Sequence, residues 1–181
     1  MSEIKSPHKL VREGNEAYNK GEYHSAALSF AAASREFAVL GDQFKIAEMA
    51  NNCSVAYLQL GQPQKALEVL EGAAEIFKIE GDLKFQGMTY GNQAAALEAL
   101  DRLDEAEQLY KESSELLKQV GADQLRLEVM KSLSNLQLNM GRRLEALATM
   151  QGGVEDIEHP NPKQSLLKRL LKIPFEIMNK S

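Results

Sequence analysis

The side chains best able to do chemistry are few and scattered along this chain. The three histidines, His8, His24 and His159, form no HExxH-type pair, so their spacing does not favour a metal site. We find no phosphate-binding loop, no nucleophile elbow and no acid–base pair at catalytic spacing. The residues therefore predict a protein that is not an enzyme and that needs no metal or other cofactor.

Cys53 is the only cysteine, which excludes an intrachain disulfide and a thiolate metal cluster. It lies beside Ser54 in the packing register of a helix, and no histidine is near it in sequence. Because a buried thiol is unreactive, we predict a structural role for it.

A period of forty residues organises the elements that position any site. An alanine recurs at Ala26, Ala66, Ala106 and Ala146, each five residues after a turn at Gly21, Gly61, Asp101 and Gly141. A second turn signal recurs in step at Gly41-Asp42, Gly81-Asp82 and Gly121-Ala122-Asp123. A fixed period of this size is typical of stacked helical repeats, which bind partners on an extended surface.

Each unit divides into two helical patterns. From Ala66 to Phe77 the apolar residues recur at three- and four-residue spacing, which predicts one amphipathic helix. The Gly-Asp pairs are expected to end one helix and cap the next, and Ser6-Pro7 to begin the first. No alternating pattern indicates a strand. We predict an all-α fold of four antiparallel helix pairs, at about 7–40, 42–80, 82–120 and 123–158.

These units resemble tetratricopeptide repeats. The first reads Gly14-Asn15-Glu16-Ala17-Tyr18 and then Gly21-Glu22-Tyr23 and Ala26, which is the family's small–large–small packing code in order. The forty-residue spacing, with Tyr90-Gly91-Asn92, is similar to the subclass in kinesin light chains and LGN-type adaptors. The resemblance covers most of residues 1–158 and implies a right-handed α-α superhelix, a tetratricopeptide solenoid that serves as an adaptor or scaffold.

The fourth unit matches least well. Gly152-Gly153 stand where helix formers are expected, and two glycines cost a helix about 2 kcal/mol relative to alanine. We therefore expect its second helix to be short or frayed.

The resemblance also implies that the first helix of each pair lines a concave groove. Asparagine predominates among the positions carried across, and its amide matches the backbone donors and acceptors of an extended peptide. These positions predict a groove for an extended peptide or a partner helix, although asparagine is also common on wet helix faces. The candidate residues are Asn15, Tyr18, Asn19, Asn51, Asn52, Val55, Asn92, Lys131, Asn135 and Asn139.

A clamp for a chaperone's C-terminal carboxylate is not expected. Asn15 and Asn52 match its asparagine positions, but Val11, Met88 and Asn92 occupy its basic positions. A carboxylate would lose charge-assisted hydrogen bonds worth about 1.5–3 kcal/mol each.

The C-terminal segment, 159–181, differs in character from the repeats. Its break, His159-Pro160-Asn161-Pro162, precedes a helix predicted at about 163–178, and residues 163–181 carry a net charge of +4 against −5 for the whole chain. Three interpretations stay open: a basic amphipathic helix that caps the stack, one that binds an anionic membrane surface through 163–179, or one that occludes the groove. Pro174 is expected to limit a continuous helix to about three turns.

The remaining composition excludes several classes of protein. A net charge of −5 argues against nucleic-acid binding. The acidic stretch from Asp104 to Glu115 is interpreted as a solvated face carrying ion pairs. The first residues lack the apolar core of a signal peptide, and no apolar run is long enough to span a bilayer, so we expect a cytoplasmic protein. Its function is predicted to be protein–protein interaction, with a membrane-peripheral assembly factor as the alternative, and nothing in the sequence fixes the oligomeric state.

Overall fold

The computed structural model describes the backbone of residues 6–155, 157 and 160–178 and the side chains as far as residue 171. This part of the chain is helical and contains no strand. Its segments are α1 (Pro7–Asn19), α2 (Tyr23–Val39), α3 (Gln43–Gln59), α4 (Pro63–Val69), α5 (Ala73–Ile79), α6 (Leu83–Ala99), α7 (Leu103–Gln119), α8 (Asp123–Asn139), α9 (Arg143–Glu155) and α10 (Pro162–Met178).

Successive helices pack against one another as pairs. The helix α1 packs on α2, α6 on α7 and α8 on α9, while α4 and α5 together take the place of one helix beside α3. The first helices of neighbouring pairs also meet, α3 with α6 and α6 with α8. The fold is an all-α helical-repeat superhelix, as expected, and the surface of α3, α6 and α8 is continuous across three pairs.

The recurring alanine of each unit is buried where two helices meet. Ala26, Ala66, Ala106 and Ala146 are each at most 1% exposed. A small side chain at this position lets two helices approach closely, and bulkier neighbours such as Phe30 fill the space beside the contact. The forty-residue period is therefore a packing period.

Two of the three repeated turn signals act as predicted. Gly41 takes the left-handed conformation at φ 74°, and Asp42 Oδ1 accepts a hydrogen bond from the Lys45 amide at 3.0 Å. Asp82 caps α6 in the same way, and Ser6 caps α1. The third prediction is wrong in register, because Ala122 occupies the cap position and Asp123 is already the first residue of α8. Its carboxylate lies in the first turn, near the positive end of the helix dipole.

The amphipathic helix predicted from Ala66 to Phe77 is interrupted. The helix α4 ends at Val69 and α5 begins at Ala73, and between them Gly72 has φ 77°. Only glycine takes this conformation without strain, so the chain turns there while Leu70, Ala73 and Phe77 stay buried. The apolar spacing continues across the break, so the sequence pattern alone did not reveal that the helix is interrupted.

The two glycines near the end of the fourth unit lie inside α9, which continues to Glu155. With 13 residues α9 is shorter than its 17-residue counterpart α7, as predicted, but the glycines do not end it. Gly153 is buried, and a Cβ there would lie 2.9 Å from the Met130 Cβ. Glycine is therefore present because α8 and α9 approach too closely for alanine.

The C-terminal helix α10 lies close to the predicted bounds of about 163–178, but Pro174 does not limit it to about three turns. It runs from Pro162 to Met178 and so continues through Pro174. A proline removes one backbone hydrogen bond and bends a helix without having to end it. Leu167 and Leu171 pack against the end of the stack, in a cluster with Leu127 and Val154.

Candidate functional site

Four of the predicted groove residues meet at one cavity. Asn51, Asn52 and Val55 of α3 and Asn92 of α6 line a cavity of about 280 Å³ between α3, α6 and α8. It lies where the first helices of three successive pairs come side by side. This cavity is the candidate site.

The cavity reaches past these helices to the one behind them. Its lining includes Tyr110 and Leu117 of α7, both buried. Gly91 of α6 also lines it, and a Cβ at that position would meet Ser113 Oγ at 3.3 Å and Val129 Cγ2 at 3.4 Å. A side chain at position 91 would therefore fit only if Ser113 or Val129 moved by a few tenths of an ångström.

A buried amide network fixes the polar side of the cavity. Asn51 is only 3% exposed, and its Nδ2 donates to Thr89 Oγ1 at 3.0 Å. Asn92 Nδ2 donates in turn to Asn51 Oδ1 at 3.3 Å. These bonds hold the Asn92 amide in place at the cavity. The amide groups of Asn51 itself are hydrogen-bonded to other residues of the protein.

The other six predicted residues do not line this cavity. Asn15 and Asn19 of α1 and Asn135 and Asn139 of α8 are exposed. The two remaining residues contact other side chains. The Tyr18 ring packs edge-on against Tyr23 at 5.3 Å, and Lys131 Nζ pairs with the Glu128 carboxylate at 2.8 Å. Burial and the neighbouring Tyr23 raise the pKa of Tyr18.

The candidate residues named from the sequence leave out nine lining residues, and four of these lie at positions to which the resemblance assigns no groove role. Leu125 and Val129 lie one turn apart on α8, and Tyr110 and Leu117 come from the second helix of the third pair. The resemblance assigns the groove to the first helix of each pair, so it gave no signal for the two α7 residues. Tyr110 Oη donates to Glu98 at 2.9 Å, and burial together with that carboxylate raises its pKa.

The acidic stretch of α7 is not wholly solvated, contrary to the prediction. Glu107 is buried and accepts hydrogen bonds from Arg142, from Lys111 at 2.8 Å and from Gln137 at 3.2 Å. The Arg142 guanidinium is the main cause that lowers the pKa of Glu107 to about 2, and burial opposes it. Its neighbours on α7 follow the prediction, as Glu105 does by pairing with Arg102 at 2.6 Å.

Cys53 is buried, as predicted. Its Sγ lies 3.6 Å from the Ala27 carbonyl oxygen, and burial raises the pKa of the thiol to about 12. A thiol in this state is protonated at neutral pH and is a poor nucleophile. Among the described residues no three His, Cys, Asp or Glu side chains are grouped to hold a metal ion, and His159 lies outside those residues.

The helix α10 presents a second face, about 100° around the helix from its packed side. Leu166 and Leu170, one turn apart, are 56% and 53% exposed, and the exposed Lys163 and Arg169 lie on the same helix. Lys168 instead donates to the Glu155 carbonyl at 2.7 Å. The side chain of residue 172 and all of residue 180, both counted in the basic charge, fall outside the described residues. Over the described part of the chain, no helix is long and apolar enough to cross a membrane.

Comparison with known proteins finds a relative among regulatory proteins. The chain is 26% identical over 165 residues to the regulatory protein RapK of Bacillus subtilis, an alignment that covers 87% of this chain and 44% of RapK. The chain thus spans less than half the length of that relative. No protein-family model matches the sequence.

Proposed function

We propose that this chain is a non-enzymatic regulatory module that binds an extended peptide, or an extended segment of a protein, at the cavity between α3, α6 and α8. Asn52 and Asn92 hydrogen-bond the ligand backbone in this proposal. Similarity to a protein named as regulatory supports the general role. The tetratricopeptide resemblance supports the kind of ligand.

The orientation of Asn92 is the observation that carries the proposal. Its Nδ2 is bonded to the buried Asn51, and no described hydrogen bond uses its Oδ1 oxygen. Asn52, the next residue to Asn51, is half-buried at the same cavity and makes no side-chain hydrogen bond within the described residues. A held amide loses little freedom when it binds, so it contributes more to affinity than a mobile one does.

Selection from a random heptapeptide library displayed on phage tests the proposal. We expect the immobilised wild-type chain to enrich specific clones, and the double variant Asn52→Ala/Asn92→Ala to retain none of them. The control is Asn15→Ala/Asn139→Ala, which removes two exposed asparagines from α1 and α8 and should retain the clones. Failure of the wild type to enrich any clone, or equal retention by all three proteins, would contradict the proposal.

A second candidate function comes from the outward face of α10. Exposed leucines beside cationic side chains favour contact with an anionic lipid surface. In this reading the chain is a membrane-peripheral assembly factor, and α10 caps the stack with Leu167 and Leu171 while it presents Leu166 and Leu170 outward.

Co-sedimentation with phosphatidylserine-containing vesicles tests this candidate. Leu166→Gln/Leu170→Gln should abolish sedimentation, whereas Leu138→Gln, at an equally exposed leucine of α8, should not. Wild type that stays in the supernatant at low salt would eliminate the membrane reading.

A further inference from the structure

The lining of the cavity is mainly apolar. Half-buried aliphatic side chains come from three helices, and the fully buried Leu117 of α7 also lines the cavity. The half-buried apolar members are Val55, Met88, Ala95, Leu125 and Val129. A lining of this kind binds apolar groups and disfavours charged ones, because burying a charge without a partner is costly.

Gly91 lies where α6 approaches its neighbours closely, although less closely than at the other tightly packed helical glycines. A Cβ at Gly14, Gly87 or Gly153 would come within 2.6, 3.0 or 2.9 Å of a neighbouring side chain, and at Gly91 the nearest atom, Ser113 Oγ, would be 3.3 Å away. A side chain at position 91 would also press on Val129, which lines the cavity. Glycine therefore lets Val129 of α8 approach α6 at the cavity wall.

The size of the cavity limits what it holds. An apolar cavity of about 150 Å³ is enough for a benzene ring. At about 280 Å³ this one lies just below the usual range of small-molecule sites, which begins near 300 Å³. It therefore suits one large side chain with its adjoining backbone better than a compact ligand.

Among the described residues, Glu128 is the only charged one that lines the cavity, and it is exposed and paired with Lys131. No described cation lines the cavity, so an acidic side chain would find no partner there.

We infer that the cavity between α3, α6 and α8 is a specificity pocket, which selects extended peptides by binding one bulky apolar side chain such as Leu, Ile, Met or Phe. The inference rests on the proposed function, because it assumes that Asn52 and Asn92 bind the peptide backbone while the pocket binds one of the peptide's side chains.

The test uses a peptide selected on the wild-type chain. We expect the selected clones to share a bulky apolar residue at one position. A synthetic peptide with alanine at that position should bind at least about tenfold more weakly, because removing two or three buried methylene groups costs that much.

A matched pair of variants on α6 locates the effect. Ala95→Leu fills the cavity from a half-buried lining position, and Ala99→Leu adds the same side chain one turn further on, at an exposed position outside the cavity. The Ala95→Leu variant should bind the parent peptide at least about tenfold more weakly than wild type does, and no more tightly than it binds the alanine peptide. The Ala99→Leu variant should keep the affinities of wild type for both peptides. Circular dichroism of both variants checks that they fold.

The outcomes separate the two proposals. Clones that lack a common apolar residue, or an Ala95→Leu variant that binds the parent peptide as well as wild type does, would overturn the specificity pocket and leave peptide binding in place. Retention of clones by Asn52→Ala/Asn92→Ala would overturn the binding site itself. A free apolar probe such as indole that binds while every heptapeptide fails would overturn both.

Discussion

Two buried polar networks join different helix pairs, and they differ in charge. At the centre of the stack Asn51 links Thr89 and Asn92, so that α3 is bonded to α6 through neutral groups only. Toward the C-terminal end Glu107 binds Arg142, so that α7 is bonded through an ion pair to the turn before α9. The neutral network lies beside the candidate site, and the charged one does not line it.

Because of this difference, the binding site and the C-terminal end of the stack should respond differently to pH. A neutral amide network does not titrate near physiological pH and keeps its geometry at the cavity. An ion pair stabilises the fold only while both groups are charged. We therefore expect the centre to tolerate acid better than the C-terminal end does.

The largest effect should come from breaking the central network. Asn51→Ala leaves the Thr89 hydroxyl and the Asn92 amide without their buried partner, which should lower the free energy of unfolding by about 2–3 kcal/mol. Urea unfolding measures it. The exposed Asn15→Ala is the control and should change stability by about 0.5 kcal/mol or less. If both variants unfold at the same urea concentration, Asn51 is not the structural centre of the network.

A smaller, pH-dependent effect should come from the terminal network. The folded-state pKa of Glu107 is lowered to about 2 from its ordinary value of 4.5. Its contribution is therefore complete above pH 4.5 and is lost as the pH falls from 4.5 through 2. At neutral pH, Glu107→Gln should lower the free energy of unfolding by about 1–2 kcal/mol.

Urea titrations of wild type and Glu107→Gln between pH 6 and pH 2.5 check the sign. The gap between the two proteins should shrink as the pH falls. The exposed Glu112→Gln on the same helix is the matched control and should follow wild type at every pH. A gap that stays constant with pH would show that the lost stability is not electrostatic.

The smallest effects should come from two adjacent glycines at the C-terminal end of the stack. Replacing each with alanine should change the free energy of unfolding by about 1 kcal/mol, in opposite directions. Gly153→Ala places a Cβ 2.9 Å from that of Met130 and should destabilise the α8–α9 contact. Gly152→Ala meets only the Met130 Cε at 3.6 Å and should stabilise α9 by removing a helix-interior glycine. Thermal melts compare them, and two shifts of the same sign would contradict the proposed close approach at Gly153.

The sequence predicted the features that recur with the repeat. The buried alanines, the caps at Asp42 and Asp82 and the all-α pairing all follow from local propensity and a fixed period. The burial of Cys53 follows from its register within α3.

The features that break the repeat were not predictable in the same way. Periodicity tells which side of a helix faces its neighbours, but not how deep a residue lies or what fills the space opposite. Asn51 and Asn52 are adjacent in sequence, yet Asn51 is hydrogen-bonded within the buried network. The Asn52 amide lies at the cavity and makes no hydrogen bond within the described residues. In sequence Glu107 is indistinguishable from its solvated neighbours, because its partner Arg142 lies 35 residues later in the chain.

The most direct test of the binding site is methyl NMR of the protein labelled with ¹³C at the methionine methyl groups. Met88 lines the cavity, whereas Met150 lies on α9 in the terminal cluster. On addition of a heptapeptide selected on the wild-type chain, we predict that the Met88 signal shifts and that of Met150 does not. A Met150 shift with an unchanged Met88 signal would place the peptide elsewhere and contradict the account.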